Sequence, residues 1–254
     1  MNITPRPTPR DPALPDTITT GYYERLEGML FARGLSAEQT KQVLSALSVA
    51  ATAHEGQTRP DGTAYVHHPV RVALSVAIKF EVGDPALLMA ALLHDTVEDK
   101  AKELVEALGG DPSSSAGIRH EAFACIRRHF GARTAEVVER LTNPDFDALA
   151  RVAQEKGDSR DTAMIKRELY KEHFLEILEK DPEAFLIKLC DFAENAYNLR
   201  QLSEERRAKL ALKYGPVIVA VREALSALDG GHPLFRFKDS ILAELNAVYE
   251  RDYR

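Results

Sequence analysis

The run from Asp84 to Asp99, DPALLMAALLHDTVED, constrains the fold of this chain more than any other stretch. Asp84 before Pro85 reads as a helix start, because aspartate caps free N–H groups and proline takes the first helical position, where no N–H is needed. The early part of the run is apolar nearly all round, so the helix it forms has no face for water and belongs inside a core. A buried helix needs other helices around it. Read as one helix through Asp99, the run then places His94, Asp95, Glu98 and Asp99 at spacings of three and four, on neighbouring faces of about one turn.

Burying carboxylates together costs several kcal/mol, or raises their pKa values, unless a cation offsets them. A divalent metal is the simplest offset. Imidazole combined with carboxylate oxygens suits Mn²⁺, Fe²⁺ or Zn²⁺ better than Ca²⁺, which prefers all-oxygen cages, and the residue types leave the choice among the three open.

The rest of the chain supplies the surrounding helices. Ser36-Ala-Glu-Gln39 fits a capping box and opens an apolar-periodic run expected to stay helical to about His54. The stretch EGQTRPDGTAYVHHP carries two glycines and two prolines, so it is expected to be an irregular surface loop, with helix resuming from Pro69. Helices are expected around 119–129, 132–142 and 161–180, with loops at 109–117 and 155–160. Asp181-Pro182 repeats the capping signal before FLIKLCDFAENAYNL. Later breaks are expected at Gly215-Pro216 and at 229–233, followed by a helix over 238–252. No alternating strand pattern stands out, and the fold class is all-α. The organisation expected is a proline-rich flexible arm over 1–16, one helical domain over 17–228, and a C-terminal segment, 229–254, packed on it.

With 33 Lys+Arg against 39 Asp+Glu, the formal charge of −6 argues against a nucleic-acid partner. No run of about 18 apolar residues and no leader-like segment occurs, so no membrane is expected and the default location is cytoplasmic. Cys125 and Cys190 are too few for a disulfide framework and read as reduced core residues. No phosphate-binding or dinucleotide-binding glycine fingerprint is present.

On the second predicted site helix, Asp191 and Asn195 are four apart and interrupt an apolar run with polar groups, which a ligand role explains. His68 stands just before Pro69, where the loop aims it toward the same cleft. His67 is its nearest rival, since one step exchanges them, and the adjacency to proline favours His68. His54 reads as a capping or supporting histidine.

The strings AHEGQTRPDGTAYVHHPVRVAL and LLMAALLHDTVEDK, followed in order by FGARTAEVVERLTN and IKLCDFAENAYNL, resemble the hydrolase domain of the RelA/SpoT alarmone enzymes, a branch of the HD-domain superfamily. The resemblance spans roughly residues 40 to 202. It implies an HD-type helical bundle with His68, His94, Asp95 and Asp191 as ligands of Mn²⁺. It further implies Glu98 and Asp99 as the catalytic acidic pair, Arg59 packing on guanine, and Asn195 in the active site. The implied substrate is a small-molecule nucleotide and the implied reaction is removal of pyrophosphate from the 3′ position of (p)ppGpp.

Three departures bear on the substrate. A common basic position near the nucleotide is Tyr197 here, with Lys188 and Arg200 the cations nearby in sequence. Segment 100–128 is long and is expected as a cap over the site, and Lys100 replaces a frequent threonine. About fifty residues follow Leu202, too few for the synthetase domain of bifunctional relatives, so a hydrolase-only protein is expected. The alternatives are the same chemistry on another phosphorylated nucleotide, or a nucleotide-binding helical module without catalysis.

Overall fold

The computed structural model describes residues 20–254 apart from Pro60 and Asn198; the arm expected over 1–16 lies outside the described residues. Among the described residues there are thirteen α-helices and no strand, only one isolated bridge pairing Thr58 with Ala64. The helices are α1 (Thr20–Ala32), α2 (Ala37–Ala53), α3 (His67–Lys79), α4 (Pro85–Leu93), α5 (Thr96–Asp99), α6 (Ala101–Ala107), α7 (Ile118–Phe130), α8 (Ala132–Leu141), α9 (Phe146–Glu155), α10 (Thr162–Lys180), α11 (Pro182–Ala196), α12 (Glu204–Ser226) and α13 (Lys238–Asp252).

The caps form as their residues dictate. Ser36 Oγ accepts from the Gln39 N–H and Gln39 Oε1 accepts from the Ser36 N–H, at 3.2 and 2.9 Å, closing the start of α2. Asp84 Oδ1 accepts from the Ala86 N–H at 2.8 Å above Pro85, and Asp181 Oδ1 accepts from the Ala184 N–H at 3.0 Å above Pro182. Asp181 also takes a two-pronged contact from Arg133 of α8, at 2.8 and 3.0 Å, and so ties the start of α11 to its neighbour.

Helix α4 is the hub. Every residue from Leu87 to Leu93 is buried, and the helix packs against α2, α3, α8 and α11. Helix α11 in turn packs against α3, α8, α10 and α12, with Phe185 and Phe192 meeting Phe174 edge to face. The hydrophobic cluster runs without a break from Leu26 in α1 to Val248 in α13, and the Tyr253 hydroxyl donates to the Ala196 carbonyl at 2.6 Å. Both cysteines are free and buried.

Several elements differ from the sequence reading. Helix α4 stops at Leu93 instead of running through Asp99, and α5 is a separate single turn. The interruption has a local cause: His94 Nδ1 and Thr96 Oγ1 bond the carbonyls of Ala91 and Leu93, at 2.8 and 2.7 Å, and so compete with the helical ladder. Helix α3 begins at His67, two residues before Pro69, because a proline within the first turn gives up no ladder bond.

Helix α12 passes through Gly215-Pro216 unbroken; the carbonyl that loses its donor belongs to Leu212, an exposed residue. Helix α9 arises where only a loop was expected at its end, capped by Asp145, whose side chain accepts from the Ala148 N–H at 2.9 Å. Segment 100–128 is not a cap. Leu104 and Val105 of α6 are buried against α2 and α7, and α7 packs on α8, so the two helices of the segment pack on the core while the loop between them lies at the surface.

Asp181→Ala removes the cap of α11 and one anchor of Arg133, and is expected to cost about 2 kcal/mol in a urea titration.

Candidate metal centre

Because α4 packs on both α3 and α11, three chain segments far apart in sequence end at one place. His68 comes from the first turn of α3, His94 and Asp95 from the turn after α4, and Asp191 from the middle of α11. Ligand atoms of His68, His94 and Asp95 all lie within 4.8 Å of one another. Asp191 Oδ1 joins them, 3.2 Å from His68 Nε2 and 3.7 Å from His94 Nε2. Asp95 spans the two rings, with Oδ2 3.4 Å from His68 Nε2 and Oδ1 3.2 Å from His94 Nε2.

His94 shows what this arrangement demands. Its Nδ1 faces the Ala91 carbonyl at 2.8 Å, which makes that nitrogen the N–H donor and leaves Nε2 bare. Nε2 is buried with no hydrogen-bond partner, and its nearest charged neighbours are carboxylate oxygens. A bare nitrogen among carboxylates requires a cation, either a proton or a metal ion.

The electrostatics say the same. Burial opposes charge on the His94 ring, yet Asp95 and Asp191 outweigh it and raise its proton affinity well above the ordinary imidazole value. Burial likewise opposes the two carboxylates, but His94 holds Asp95, and Lys188 followed by the two histidines holds Asp191, well below the usual carboxylate range. Two anionic carboxylates and two imidazole nitrogens form a mixed N/O donor set, and these residues fit a divalent metal ion.

Around this cluster the chain builds a second layer. Asn195 Nδ2 donates to Asp191 Oδ1 at 2.9 Å, and Arg59 Nη2 donates to Asn195 Oδ1 at 2.9 Å. Arg59 also lies 3.8 Å from Glu194, which is bonded to Arg71 at 2.7 Å. The Tyr65 hydroxyl donates to Asp95 Oδ2 at 2.7 Å. Lys188 Nζ, buried, sits 3.5 Å from Asp191 Oδ2.

Glu98 and Asp99 are exposed on α5, immediately beyond the cluster. Glu98 accepts from the backbone N–H and side-chain amide of Asn143, at 2.9 to 3.1 Å. Asp99 Oδ2 accepts from Gln57 Nε2 at 3.4 Å, and His54 Nδ1 lies 2.8 Å from Gln57 Oε1. Burial lowers the pKa of His54, against that hydrogen bond and the nearby carboxylates.

Of the residues read from the sequence, the structure brings His68, His94, Asp95 and Asp191 together and sets Arg59 and Asn195 against them. It does not bring Tyr197 there. Asp191, Asn195 and Lys188 lie on one face of α11, whereas Tyr197 follows the opposite face and lines a small cleft with Ser75, Lys79, Cys190 and Glu194. His67, the one-step rival of His68, stacks on Tyr22 at 4.6 Å.

Tyr65, Lys188, Gln57 and Asn143 were not singled out as site residues. Lys188 was within reach of the helical period, three before Asp191, and Tyr65 lies three before His68. Asn143 carries no local signal, because its partner is 45 residues away.

Known proteins resemble this chain in sequence and in fold. A family model described as HD domain matches residues 46–217. The guanosine-3′,5′-bis(diphosphate) 3′-pyrophosphohydrolase MESH1 of Xenopus tropicalis is 30% identical over 198 residues, covering 74% of this chain and 89% of that protein. The bifunctional (p)ppGpp synthase/hydrolase SpoT of Escherichia coli K12 is 32% identical over 178 residues, 70% of this chain; the chain spans 21% of the length of that relative. A solved structure of a metazoan ortholog of SpoT that hydrolyzes ppGpp superimposes with a TM-score of 0.53 over 85% of this chain and 96% of that one, at 21% identity, a likeness of fold.

Two predictions follow from the charges. Protein purified with Mn²⁺ and then dialysed is expected to retain metal, with affinity about tenfold or more weaker in His94→Ala or Asp95→Ala; full retention in both variants by elemental analysis contradicts the assignment. Separately, burial, with Lys188 next, holds the His173 pKa down to about 4 from 6.5. The folded state therefore excludes a proton that the unfolded chain accepts. Stability is expected to be full above about pH 6.5 and to fall as pH drops toward 4, by at most about 3 kcal/mol and less for the partial exposure of the ring. His173→Gln should flatten that slope in urea melts at pH 4.5 and 7.5.

Proposed function

Because the chain belongs to the HD domain family, we propose that it is a metal-dependent phosphohydrolase that removes pyrophosphate from the 3′ position of (p)ppGpp. The observation that carries the reading is the bare, buried His94 Nε2 between Asp95 and Asp191, with an exposed acidic pair one turn away. The relatives named for this reaction support it.

His68, His94, Asp95 and Asp191 would hold the ion, and Mn²⁺ suits the mixed donor set. When bound, such an ion supplies the positive charge that polarises a phosphoryl oxygen and activates water. The chain's own residues do the rest. Glu98 and Asp99 orient the attacking water and accept its proton at their carboxylate oxygens as its oxygen bonds to phosphorus. The bond from phosphorus to the ribose 3′ oxygen breaks, a proton is returned to that oxygen, and pyrophosphate leaves with GDP or GTP as the other product. Proton handling of this kind is worth about 10²- to 10⁴-fold in rate.

Arg59, oriented by Asn195 and Glu194, offers a planar guanidinium to the guanine. Tyr65 and Lys188 keep Asp95 and Asp191 anionic and aimed at the ion. The hydrolase unit in this reading is 17–228 with 229–254 packed on it, and a nucleotide substrate places its work in the cytoplasm.

A second reading keeps the chemistry and changes the phosphorylated nucleotide. It is favoured by Tyr197, a departure from the pattern the resemblance implies, which lines a cleft on the other face of α11 from Asp191.

The test is pyrophosphate release from ppGpp by the purified protein with Mn²⁺. Glu98→Gln and Asp99→Asn are each expected to lower kcat about 10²-fold or more with metal content unchanged. Absence of turnover with Mn²⁺, Fe²⁺, Co²⁺ and Zn²⁺ overturns the first reading, and a panel of nucleotides ranked by kcat/KM decides between the two.

A further inference from the structure

Glu98 stands on a helix of four residues, and its side chain is exposed. A single turn has little stability of its own, and a solvated glutamate samples many rotamers. A carboxylate that must meet a reacting water at a defined place needs an external clamp. The clamp in this structure comes from a residue 45 positions later in the chain.

Asn143 follows the end of α8. The preceding Thr142 is buried and donates its hydroxyl to the Val138 carbonyl at 2.8 Å, which fixes the chain there. From that position Asn143 gives Glu98 both of its donor groups. The backbone N–H reaches Oε2 at 3.1 Å, and the side-chain Nδ2 reaches Oε1 at 3.1 Å and Oε2 at 2.9 Å. The carbonyl of Asn143 is held in turn by Arg119 Nη1 at 3.2 Å.

The other end of the amide shows what it is oriented for. Asn143 Oδ1 is buried with no hydrogen-bond partner. A structural asparagine satisfies both ends of its amide. Here the amide leaves its oxygen unpaired and directs its NH₂ to Glu98, the one orientation in which two oxygens do not face each other.

We propose that Asn143 is a positioning residue for Glu98, and that Arg119, on segment 100–128, holds Asn143 in place through its carbonyl. The long segment between the acidic pair and α8 thereby acquires a role. Its helices α6 and α7 pack on α5, the turn that carries Glu98, and Arg119 at the start of α7 reaches Asn143. The inference rests on Glu98 being catalytic as read above.

The test uses the full chain loaded with Mn²⁺ and ppGpp as substrate. Asn143→Ala is expected to lower kcat about 10- to 100-fold, with KM within about threefold and metal content unchanged. Asn143→Asp keeps the size but sets a carboxylate against Glu98, and is expected to fall below Asn143→Ala. Arg119→Ala is expected to lie between wild type and Asn143→Ala. In a Glu98→Gln background, Asn143→Ala should cost no more than about twofold further.

A wild-type kcat in Asn143→Ala, equal activity of the Ala and Asp variants, or losses that multiply with Glu98→Gln each overturn the proposal. If the wild-type protein does not turn over ppGpp, the substrate reading fails, and the positioning is tested without turnover by carbon-13 NMR of the Glu98 carboxyl. Arg119, Asp145, Asp147 and Lys166, which line the cleft beside Glu98, are the same in the wild type and in the Asn143 variants. Asn143→Ala is then expected to shift the Glu98 carboxyl resonance, because both carboxylate oxygens lose an amide donor, and an unchanged resonance overturns the proposal.

Discussion

Two carboxylates and two imidazoles share the buried edge of the core, and the rest of the molecule is arranged around that cost. The His94 ring is held by the Ala91 carbonyl with its other nitrogen bare, 3.2 and 3.7 Å from Asp95 and Asp191 oxygens. Without a cation such a cluster would repel itself apart or take up a proton. The hub helix α4 delivers His94 and Asp95, α3 delivers His68 and α11 delivers Asp191, and the apolar packing among these three helices holds the donors together against their mutual repulsion. Packing energy is what keeps the donor set in place before an ion arrives.

The break between α4 and α5 belongs to the same logic. A continuous helix would have carried Asp95, Glu98 and Asp99 on one straight axis. Side-chain bonds from His94 and Thr96 to the carbonyls of Ala91 and Leu93 end the ladder instead. The turn leaves His94 buried while Glu98 and Asp99 are exposed, so one short motif serves two environments. Buried donors suit an ion that must stay, and exposed carboxylates suit groups that exchange protons with water.

Supporting contacts are drawn from every side of this turn. Tyr65 bonds Asp95, Lys188 and Asn195 flank Asp191, Gln57 reaches Asp99 and Asn143 reaches Glu98. Arg59 is fixed by Asn195 and Glu194, and its Nη1 lies 3.4 Å from His68 Nδ1 at the edge of the cluster. Tyr197, by contrast, follows the end of α11 and lines a cleft with Cys190 and Glu194, away from the metal donors.

Much of this was legible in the sequence because it is local. The capping box, the Asp-Pro starts and an apolar run without a polar face act over one or two turns, and each formed where its residues required. The all-α class follows from such signals, whereas the set of four donors is what the resemblance to the alarmone hydrolases implies. The tertiary structure decided what depends on partners distant in the chain: the passage of α12 through Pro216, the packing of α6 and α7 on the core, and the turning of Tyr197 away from the donors. It also decided that Asn143 grips Glu98 across 45 residues and that Tyr65 grips Asp95 across 30. Residue spacing specifies which groups share a face, whereas only the packing of α4 between α3, α8 and α11 specifies which faces meet.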